Sequence, residues 1–334
     1  MKKLSKLLFL ALALMLILTA CADKSETIEN TTEAATEAVT EATEEMPEYM
    51  KADNGDGSAD LFYGTYADTW EINTKGVLIL YENFEMEDYE YGSSPWNSDR
   101  EFVYSLEIQC DTDFIGGGAF CGLTNLESVE IPDGVTRIGF GAFYACDGLT
   151  EVTIPDSVTT IEKDAFFCCK SLKSVTLPDG LTMIGNGAFT RCYSLESVTV
   201  PASVTEIEDY AFYCCTSLTA ITVDENNPNY ADVDGVLFTK DLTELICYPL
   251  GKPDTNYEVP DGVTTIAQNS FGESETLTSV TIPTSVTFIG GYAFTECPNL
   301  TDIYYQGTEA EWNKVTVEES YDYGSTVAVH FEGE

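Results

Sequence analysis

Apolar residues recur along this chain with a period of 23 residues, and the dipeptide Ala-Phe marks the period most clearly. It ends, with one Ser-Phe variant at Phe271, at Phe120, Phe143, Phe166, Phe189, Phe212, Phe271 and Phe294. A period of about 20 to 50 residues is typical of solenoids, in which each repeat buries its apolar face on its neighbours. The sequence therefore predicts a repeat solenoid. Its core between coils is formed by Phe143, Phe166, Phe189, Phe212, Phe271 and Phe294.

Within each repeat, apolar and polar positions alternate in two short stretches. In residues 149–169 the first stretch reads Leu-x-x-Val-x-Ile-Pro, which is typical of a short strand closed by proline. Val-Thr-x-Ile predicts a second extended piece, and a glycine or an acidic residue follows where the chain turns, as at Gly139 and Gly185. Ala-Phe-x-x-Cys predicts a helical or 3₁₀ turn. The expected fold is mainly β, with about seven or eight coils of 23 residues.

These repeats resemble those of the BspA-type leucine-rich repeat proteins, a bacterial class of cell-surface proteins, over about two thirds of the chain. Thr69 to Trp96 resembles the N-terminal module that often precedes such arrays. Tyr304-Tyr305-Gln306-Gly307-Thr308, followed by Glu311-Trp312, resembles their closing module. The resemblance implies a right-handed leucine-rich-repeat-like stack that is capped at both ends, as an uncapped coil would expose its apolar side.

The first residues predict export. Lys2, Lys3 and Lys6 precede an apolar run from Leu7 to Leu18, which has the form of a signal peptide and is shorter than the ~20 residues of a membrane span. Leu18-Thr19-Ala20-Cys21 then matches a bacterial lipobox, in which Cys21 becomes the lipidated N-terminus. The alternative is an ordinary signal peptide with a chance cysteine. The lipobox predicts an extracytoplasmic protein held on the bacterial cell membrane by Cys21.

The remaining organisation follows from composition. Repeats of Thr-Glu-Ala before residue 59 form an acidic, low-complexity stretch that predicts a tether. The predicted segments are a signal peptide at 1–20, the lipidated cysteine and tether at 21–58, an N-terminal cap at 59–105, repeats at 106–303 with a hairpin-like insertion at 224–258, and a C-terminal cap at 304–334.

The insertion interrupts the array between Phe212 and Phe271, which are 59 residues apart, or 36 more than one period. Two short apolar runs, at 235–238 and 245–248, flank a polar turn and predict a β-hairpin. One interpretation is an elongated coil that extends the sheet. The other is a protrusion that shapes a binding surface, because insertions in solenoids tend to fall on one face.

The cysteines have two interpretations. Of the 11 in the chain, five occupy one repeat column: Cys146, Cys169, Cys192, Cys215 and Cys297. An inward column is most simply a set of small buried thiols, which predicts slow alkylation of the folded protein. Disulfides are the alternative outside the cell. A continuous column offers no obvious pairing, and Cys168 and Cys214 lie two coils apart, roughly 10 Å.

Two columns of hydroxyl residues are predicted to point outward. The first strand presents one, which is the candidate binding face: Thr153, Thr176, Thr199, Thr222, Thr281 and Tyr304. The second extended piece carries another, at Thr136, Thr159, Thr182, Thr205, Thr264 and Thr287. Ladders of β-branched residues stabilise stacked strands, which alone explains both columns. The functional alternative is that the first face offers its hydroxyls to a protein or a glycan.

The charge and the motifs limit which partners and activities are expected of the chain. With 57 acidic and 15 basic residues the net charge is −42, which argues against nucleic acid and against anionic lipid as partners. His330 is the single histidine, and no phosphate loop or metal-ligand spacing is present, so no catalytic residue, metal or cofactor is predicted. We expect a monomeric, non-enzymatic surface protein for adhesion or recognition of an extracellular protein, a neighbouring cell or a glycan. The alternatives are a scaffold or accessory component of a surface glycan-processing system, and a spacer without a specific ligand.

Overall fold

The computed structural model of the protein describes residues 51–53, 59–61, 64–66, 69–73, 75–318 and 327–332. The predicted signal peptide, Cys21 and the tether up to residue 50 lie outside the described residues. The chain divides into two units, Met1–Ala59 and Asp60–Glu334. The described part of the first unit is short and extended, and the second unit contains all the repeats.

Short strands make up most of the described residues. In chain order they are β1 Lys51–Asp53, β2 Ala59–Leu61, β3 Gly64–Tyr66, β4 Trp70–Ile72, β5 Val77–Leu80, β6 Ser105–Ile108, β7 Phe114–Ile115, β8 Ser128–Glu130, β9 Arg137–Ile138, β10 Glu151–Thr153, β11 Thr160–Ile161, β12 Ser174–Thr176, β13 Met183–Ile184, β14 Ser197–Val200, β15 Glu206–Ile207, β16 Ala220–Val223, β17 Tyr230–Val233, β18 Val236–Thr239, β19 Glu244–Cys247, β20 Asn256–Glu258, β21 Thr265–Ile266, β22 Ser279–Ile282, β23 Phe288–Ile289, β24 Asp302–Tyr305, β25 Thr316–Val317 and β26 Ala328–Phe331. A 3₁₀ helix spans Asn97–Phe102, and a short α-helix, α1, spans Glu309–Trp312.

Each repeat contributes one strand to each of two sheets, and strands of neighbouring repeats pair in parallel, whereas β3, β4 and β5 at the N-terminal edge pair antiparallel. Before the insertion, the first face has the order β16-β14-β12-β10-β8-β6-β5-β4-β3, and the second face has the order β15-β13-β11-β9-β7. The register advances by one repeat, so that Val152 lies opposite Val129 on one side and Val175 on the other. Equivalent residues therefore form straight columns along the array, as the fold prediction requires.

The phenylalanine column fills the space between coils. Phe120, Phe143, Phe166, Phe189 and Phe271 are fully buried, and Phe212 and Phe294 almost so. Successive ring centroids from Phe120 to Phe212 lie 5.3–5.8 Å apart, and the planes of Phe166 and Phe189 differ by 2°. Offset stacking of this kind adds about 0.5–1.5 kcal/mol per pair beyond the burial of area. From Phe120 to Phe212 the phenylalanine rings therefore form one continuous stack.

The Ala-Phe turns are held by two sets of backbone hydrogen bonds. Within a coil, Cys146 N donates to Phe143 O at 3.2 Å, an i→i+3 bond of the 3₁₀ kind. Between coils, Phe143 N donates to Ala165 O at 2.8 Å, and the same bond recurs down the array. Ala145, at φ 56°, stops the helical path. The predicted helical or 3₁₀ turn is therefore a tight turn with isolated 3₁₀-type bonds and a third inter-coil ladder.

The cysteine column is hydrogen-bonded to the phenylalanine column. Each thiol donates to the carbonyl of the phenylalanine one coil earlier, at 3.1–3.3 Å: Cys146 to Phe120, Cys169 to Phe143, Cys192 to Phe166, Cys215 to Phe189 and Cys297 to Phe271. The cysteines among the described residues are free thiols. Burial raises the pKa of Cys297 to about 11 and that of Cys192 well above its ordinary value, which keeps these thiols neutral donors.

From Gly139 to Glu208, glycine and glutamate alternate at the turn after the second strand, whereas the preceding coil also has glycine there, Gly116. A Cβ at Gly139 would lie 2.6 Å from a backbone nitrogen of the preceding coil, so glycine is required there for close approach. The next coil has Glu162, whose carboxylate accepts from Phe140 N at 2.8 Å. Gly185 and Glu208 repeat the arrangement. The structural repeat at this turn is therefore a pair of coils.

The insertion is built into the stack. Strands β17, β18 and β19 pair antiparallel, and β19 then pairs in parallel with β21, which continues the six-stranded sheet β17-β18-β19-β21-β23-β25. Leu237 packs into the core cluster before the insertion, whereas its neighbours Val236 and Phe238 pack into the cluster after it. The arrangement matches the elongated coil rather than the protrusion. It adds a hairpin, β17–β18, that the spacing alone does not indicate.

Aromatic residues close both ends of the array. Trp96 is fully buried, stacks on Phe120 at 5.6 Å and donates from Nε1 to Ala119 O at 2.9 Å. At the other end Thr308 and Glu311 form a capping box for α1, and Trp312 packs on Tyr305 at 5.2 Å. The flanking modules and the insertion each supply turns of their own. The solenoid therefore has about ten turns, where the motif count predicts about seven or eight.

Candidate binding face

The candidate binding face is the outward side of the first-face strands. These strands are three or four residues long and alternate in exposure, as in β10, in which Val152 is buried between exposed Glu151 and Thr153. Thr153 lies opposite Thr176, and Thr199 lies opposite Thr222. The structure thus brings together four of the six sequence-predicted positions in one column: Thr153, Thr176, Thr199 and Thr222.

The other two predicted residues lie on a separate sheet. After the insertion the first face continues as the four-stranded sheet β20-β22-β24-β26, in which Thr281 lies opposite Tyr304. At the break, Ile221 N at the end of the first sheet donates to Gly235 O of the insertion, at 2.8 Å. The candidate binding face is therefore two panels, with the insertion between Thr222 and Thr281.

The C-terminal panel contains two residues that the sequence reasoning missed. Glu258 lies opposite Thr281, and His330 lies opposite Tyr304. Glu258 is one period before Thr281, so the 23-residue spacing could have found it. His330 is 26 residues after Tyr304, off the period, and the sequence gives no signal for it.

His330 is the most polar feature of that panel. Its ring stacks on Tyr304 at 4.8 Å, and its Nε2 lies 2.6 Å from Oδ1 of Asp302. The Thr301 hydroxyl, which donates to Oδ2 at 2.7 Å, and then His330 hold the pKa of Asp302 below its ordinary value. The panel therefore presents an ionised carboxylate beside two exposed rings.

The two threonine columns differ in how their hydroxyls are used. On the second face each hydroxyl donates to a carbonyl of the previous coil at 2.9–3.3 Å, from Thr136, Thr159, Thr182, Thr205, Thr264 and Thr287. On the first face Thr199 and Thr222 share one hydrogen bond at 3.0 Å. Within the described part of the chain, the hydroxyls of Thr153, Thr176 and Thr281 have no such partner. The hydroxyls of Thr153, Thr176 and Thr281 are thus available to a ligand, whereas that of Thr222 also lies 3.4 Å from Val198 O as a donor.

Other sites are sparse in the described residues. No three His, Cys, Asp or Glu side chains among them are placed to share a metal ion. None of the helices in this same part of the chain is long and apolar enough to cross a bilayer.

Known structures share this architecture. A leucine-rich repeat protein from Eubacterium ventriosum is 25% identical, with a TM-score of 0.63 over 75% of this chain and 73% of the other. The pneumococcal vaccine antigen PcpA is 20% identical, with a TM-score of 0.57 over 84% and 87%. A leucine-rich cell surface protein from Faecalibacterium prausnitzii is 23% identical, with a TM-score of 0.50 over 80% and 100%. The latter two likenesses concern the fold alone.

The repeats match a known family model, although no curated protein matches the chain. The family model for the BspA type leucine rich repeat region matches in six copies, over residues 113–232 and 252–318. These residues are more than half of the chain and include both panels of the candidate binding face except their ends. The chain belongs to the BspA-type leucine-rich repeat family.

Proposed function

We propose that this chain is a non-enzymatic binding protein of the bacterial surface, which acts as a monomer and recognises an extracellular protein, a neighbouring cell or a glycan through its first face. The observation that carries the proposal is the contrast between the threonine columns. Second-face hydroxyls donate to the backbone of the previous coil, whereas Thr153 and Thr176 keep theirs for a partner.

The shape of the first face also supports binding. A solenoid grows a long, regular surface from equivalent positions, and such surfaces suit extended partners that make many weak contacts. The first-face strands β8, β10, β12, β14 and β16 supply one such row, exposed at Glu130, Thr153, Thr176, Thr199 and Thr222. Partners would be neutral or cationic, because the net charge of −42 repels anions.

The surface location in this proposal depends on the lipobox at Leu18–Cys21. One relative of the same fold, from Faecalibacterium prausnitzii, is described as a cell surface protein, which agrees with export of this chain. Cys21→Ser should release the protein from membranes into the medium in a fractionation experiment. Retention on the membrane would exclude Cys21 as the anchor.

The binding proposal is tested with the full-length protein in a neutral detergent, screened against arrayed extracellular proteins and glycans at low and high salt. For any saturable partner, the double variant Thr153→Ala/Thr176→Ala should weaken binding about thirtyfold, since two lost hydrogen bonds at about 1 kcal/mol each remove about 2 kcal/mol. The matched control is Thr159→Ala/Thr182→Ala on the second face, which should change affinity less than about twofold. Equal losses, or no saturable partner on either array, would contradict the proposal.

A further inference from the structure

The second face ends in a cleft at its N-terminal edge. Strand β7 is the edge strand of the sheet β15-β13-β11-β9-β7. Beside it lies a cleft of about 400 Å³ between two segments of chain. It is lined by Phe84, Glu85, Met86, Asp111, Thr112, Asp113 and Phe114. This volume is in the range of small-ligand sites, about 300–1,000 Å³, so the cleft can hold a large side chain.

The apolar part of the cleft is held in place by the N-terminal module. Phe84 and Met86 are 8% exposed, and the Phe84 ring packs on the buried Trp96 at 5.7 Å. The Thr112 hydroxyl donates to Phe114 O at 2.7 Å and accepts from Phe114 N at 3.3 Å, which fixes the backbone next to the ring. The cleft is therefore preformed, and binding costs little ordering.

The polar part is acidic. Glu85, Asp111 and Asp113 are exposed at its rim, and no lysine or arginine lines it. An open cleft with apolar side chains at its base and carboxylates at its rim fits a long side chain that has an apolar stem and a cationic head. The three carboxylates attract a cationic ligand and repel an anionic one.

The protein itself contains an example of the expected contact. Arg137 lies on β9, the strand next to β7 in the second-face sheet. Its guanidinium is 4.7 Å from the centroid of the Phe114 ring. The same guanidinium donates to Glu162 at 3.0 Å and lies 3.6 Å from a carboxylate oxygen of Asp88. A guanidinium over Phe114 with two carboxylates around it is thus already a stable arrangement at this edge, and Arg137 does not line the cleft.

The geometry points to a binding site for an arginine side chain of a partner protein in this cleft, with the guanidinium between Asp111 and Asp113 and the stem on Phe84, Met86 and Phe114. Arginine is favoured over lysine because its planar fork pairs with carboxylates in bidentate fashion and stacks on aromatic rings. The inference deepens the proposed binding function and rests on it. The site is on the second face, away from the threonine panels, so the two can fail separately.

The test uses the full-length protein in neutral detergent and a fluorescent peptide with a single arginine flanked by glycines, both termini being blocked. Binding should be saturable. The same peptide with citrulline, which is neutral but of the same shape, or with lysine should bind at least about tenfold more weakly, as charge-assisted bonds are worth about 1.5–3 kcal/mol. Equal binding of the citrulline peptide would overturn the site, and equal binding of the lysine peptide would overturn its preference for arginine.

Matched variants separate the cleft from the general acidity of the protein. Asp111→Asn/Asp113→Asn should weaken arginine binding about tenfold, whereas Asp156→Asn/Asp179→Asn removes the same charge from exposed first-face turns and should have less than about a twofold effect. Equal losses in the two double variants would mean unspecific attraction and overturn the inference. Loss with Thr153→Ala/Thr176→Ala but not with the cleft variants would overturn it as well and leave the first-face proposal standing.

Discussion

The array before the insertion and the array after it are built from the same repeat but held together differently. The first is a long stack, from Trp96 to Phe212, in which the ring planes of Phe143, Phe166, Phe189 and Phe212 differ by no more than 4° from coil to coil. The second is a short stack of Tyr248, Phe271 and Phe294, whose planes differ by 29° and 14°. At the start of the long stack the planes of Phe120 and Phe143 differ by 27°, so the parallel geometry belongs to the middle repeats and is lost near the N-terminal module and after the insertion.

The junction shows what replaces repetition. The turns on its two sides are joined by side chains: Tyr213 donates to Glu273 Oε1 at 2.7 Å, and Gln268 donates to the hydroxyl of Tyr210. Strand β18 sends alternate side chains into the two cores. Where the backbone ladder cannot run straight on, specific polar pairs and one shared strand maintain the connection.

The largest expected effect is the loss of a ring from the middle of the long stack. Phe189→Ala removes contacts to Phe166 and Phe212 and should lower the free energy of unfolding by about 3–5 kcal/mol. Phe294→Ala, in the short stack, should also be destabilising, because that ring is 3% exposed and stacks on Phe271 at 5.0 Å. Denaturant unfolding measures both, and Thr176→Ala is the exposed control. A control as costly as Phe189→Ala would contradict the inward and outward assignment.

Substitutions in β18 can separate its contributions to the stability of the two cores. Leu237→Ala and Phe238→Ala should each cost about 2–5 kcal/mol, because both side chains are fully buried. The rate of backbone amide hydrogen exchange should rise mainly around Phe212 in Leu237→Ala and around Phe271 in Phe238→Ala. The same exchange pattern in both variants would mean that the two cores open as one unit.

The buried thiols give the long stack a stronger pH dependence. It has four column cysteines, Cys146, Cys169, Cys192 and Cys215, against Cys297 in the short stack, and burial raises the pKa of each. A raised pKa in the folded state means stability that is full below the unfolded thiol pKa, about 8.5, and is lost as pH rises beyond it. For Cys297 the loss should run up to about pH 11, its folded pKa, and for the others further.

Thermal unfolding from pH 7 to pH 10.5 tests this dependence. The protein should lose stability steadily above about pH 8.5, and Cys192→Ala should reduce the slope by at most one proton per molecule. Unchanged slopes in Cys146→Ala, Cys169→Ala and Cys192→Ala alike would show that other groups set the alkaline limit.

The smallest effect is expected at the ring that starts the short stack. Tyr248 is 1% exposed, and its hydroxyl has no hydrogen-bond partner among the described residues. A buried hydroxyl without a partner costs about 1–3 kcal/mol, so Tyr248→Phe should raise the melting temperature by a few degrees. A lower melting temperature would mean that the hydroxyl makes a stabilising contact in solution.

The 23-residue spacing predicts the features that recur once in every coil. Strand alternation, the buried Phe and Cys columns and the outward Thr153 column all follow from the 23-residue spacing. Tyr248 is also one period before Phe271, so the start of the short stack was available in the sequence but is obscured by the change of residue type. The break in the candidate binding face was not available, because it depends on how the insertion hydrogen-bonds to β16.

The hydroxyl contacts and the cleft of the second face could not be predicted from the sequence. The spacing marks Thr159 and Thr153 alike as outward threonines, and only coordinates reveal that one hydroxyl is bonded to the backbone of the adjacent coil while the other is not. The cleft at β7 depends on residues 84–86, which carry no repeat signal. Contacts between non-periodic segments and the array were therefore beyond prediction.

The alternation of glycine and glutamate at the second turn has a consequence for how such a chain can change in length. If recombination removed one coil between Gly139 and Gly185, a third glycine would follow Gly116 and Gly139, which already face each other, and Phe140 N would lose its carboxylate acceptor. Removal of a coil between Glu162 and Glu208 would set two carboxylates side by side, which destabilises paired strands. Gains and losses of whole pairs of coils preserve the pattern. Natural length variants of this region should therefore differ by even numbers of coils.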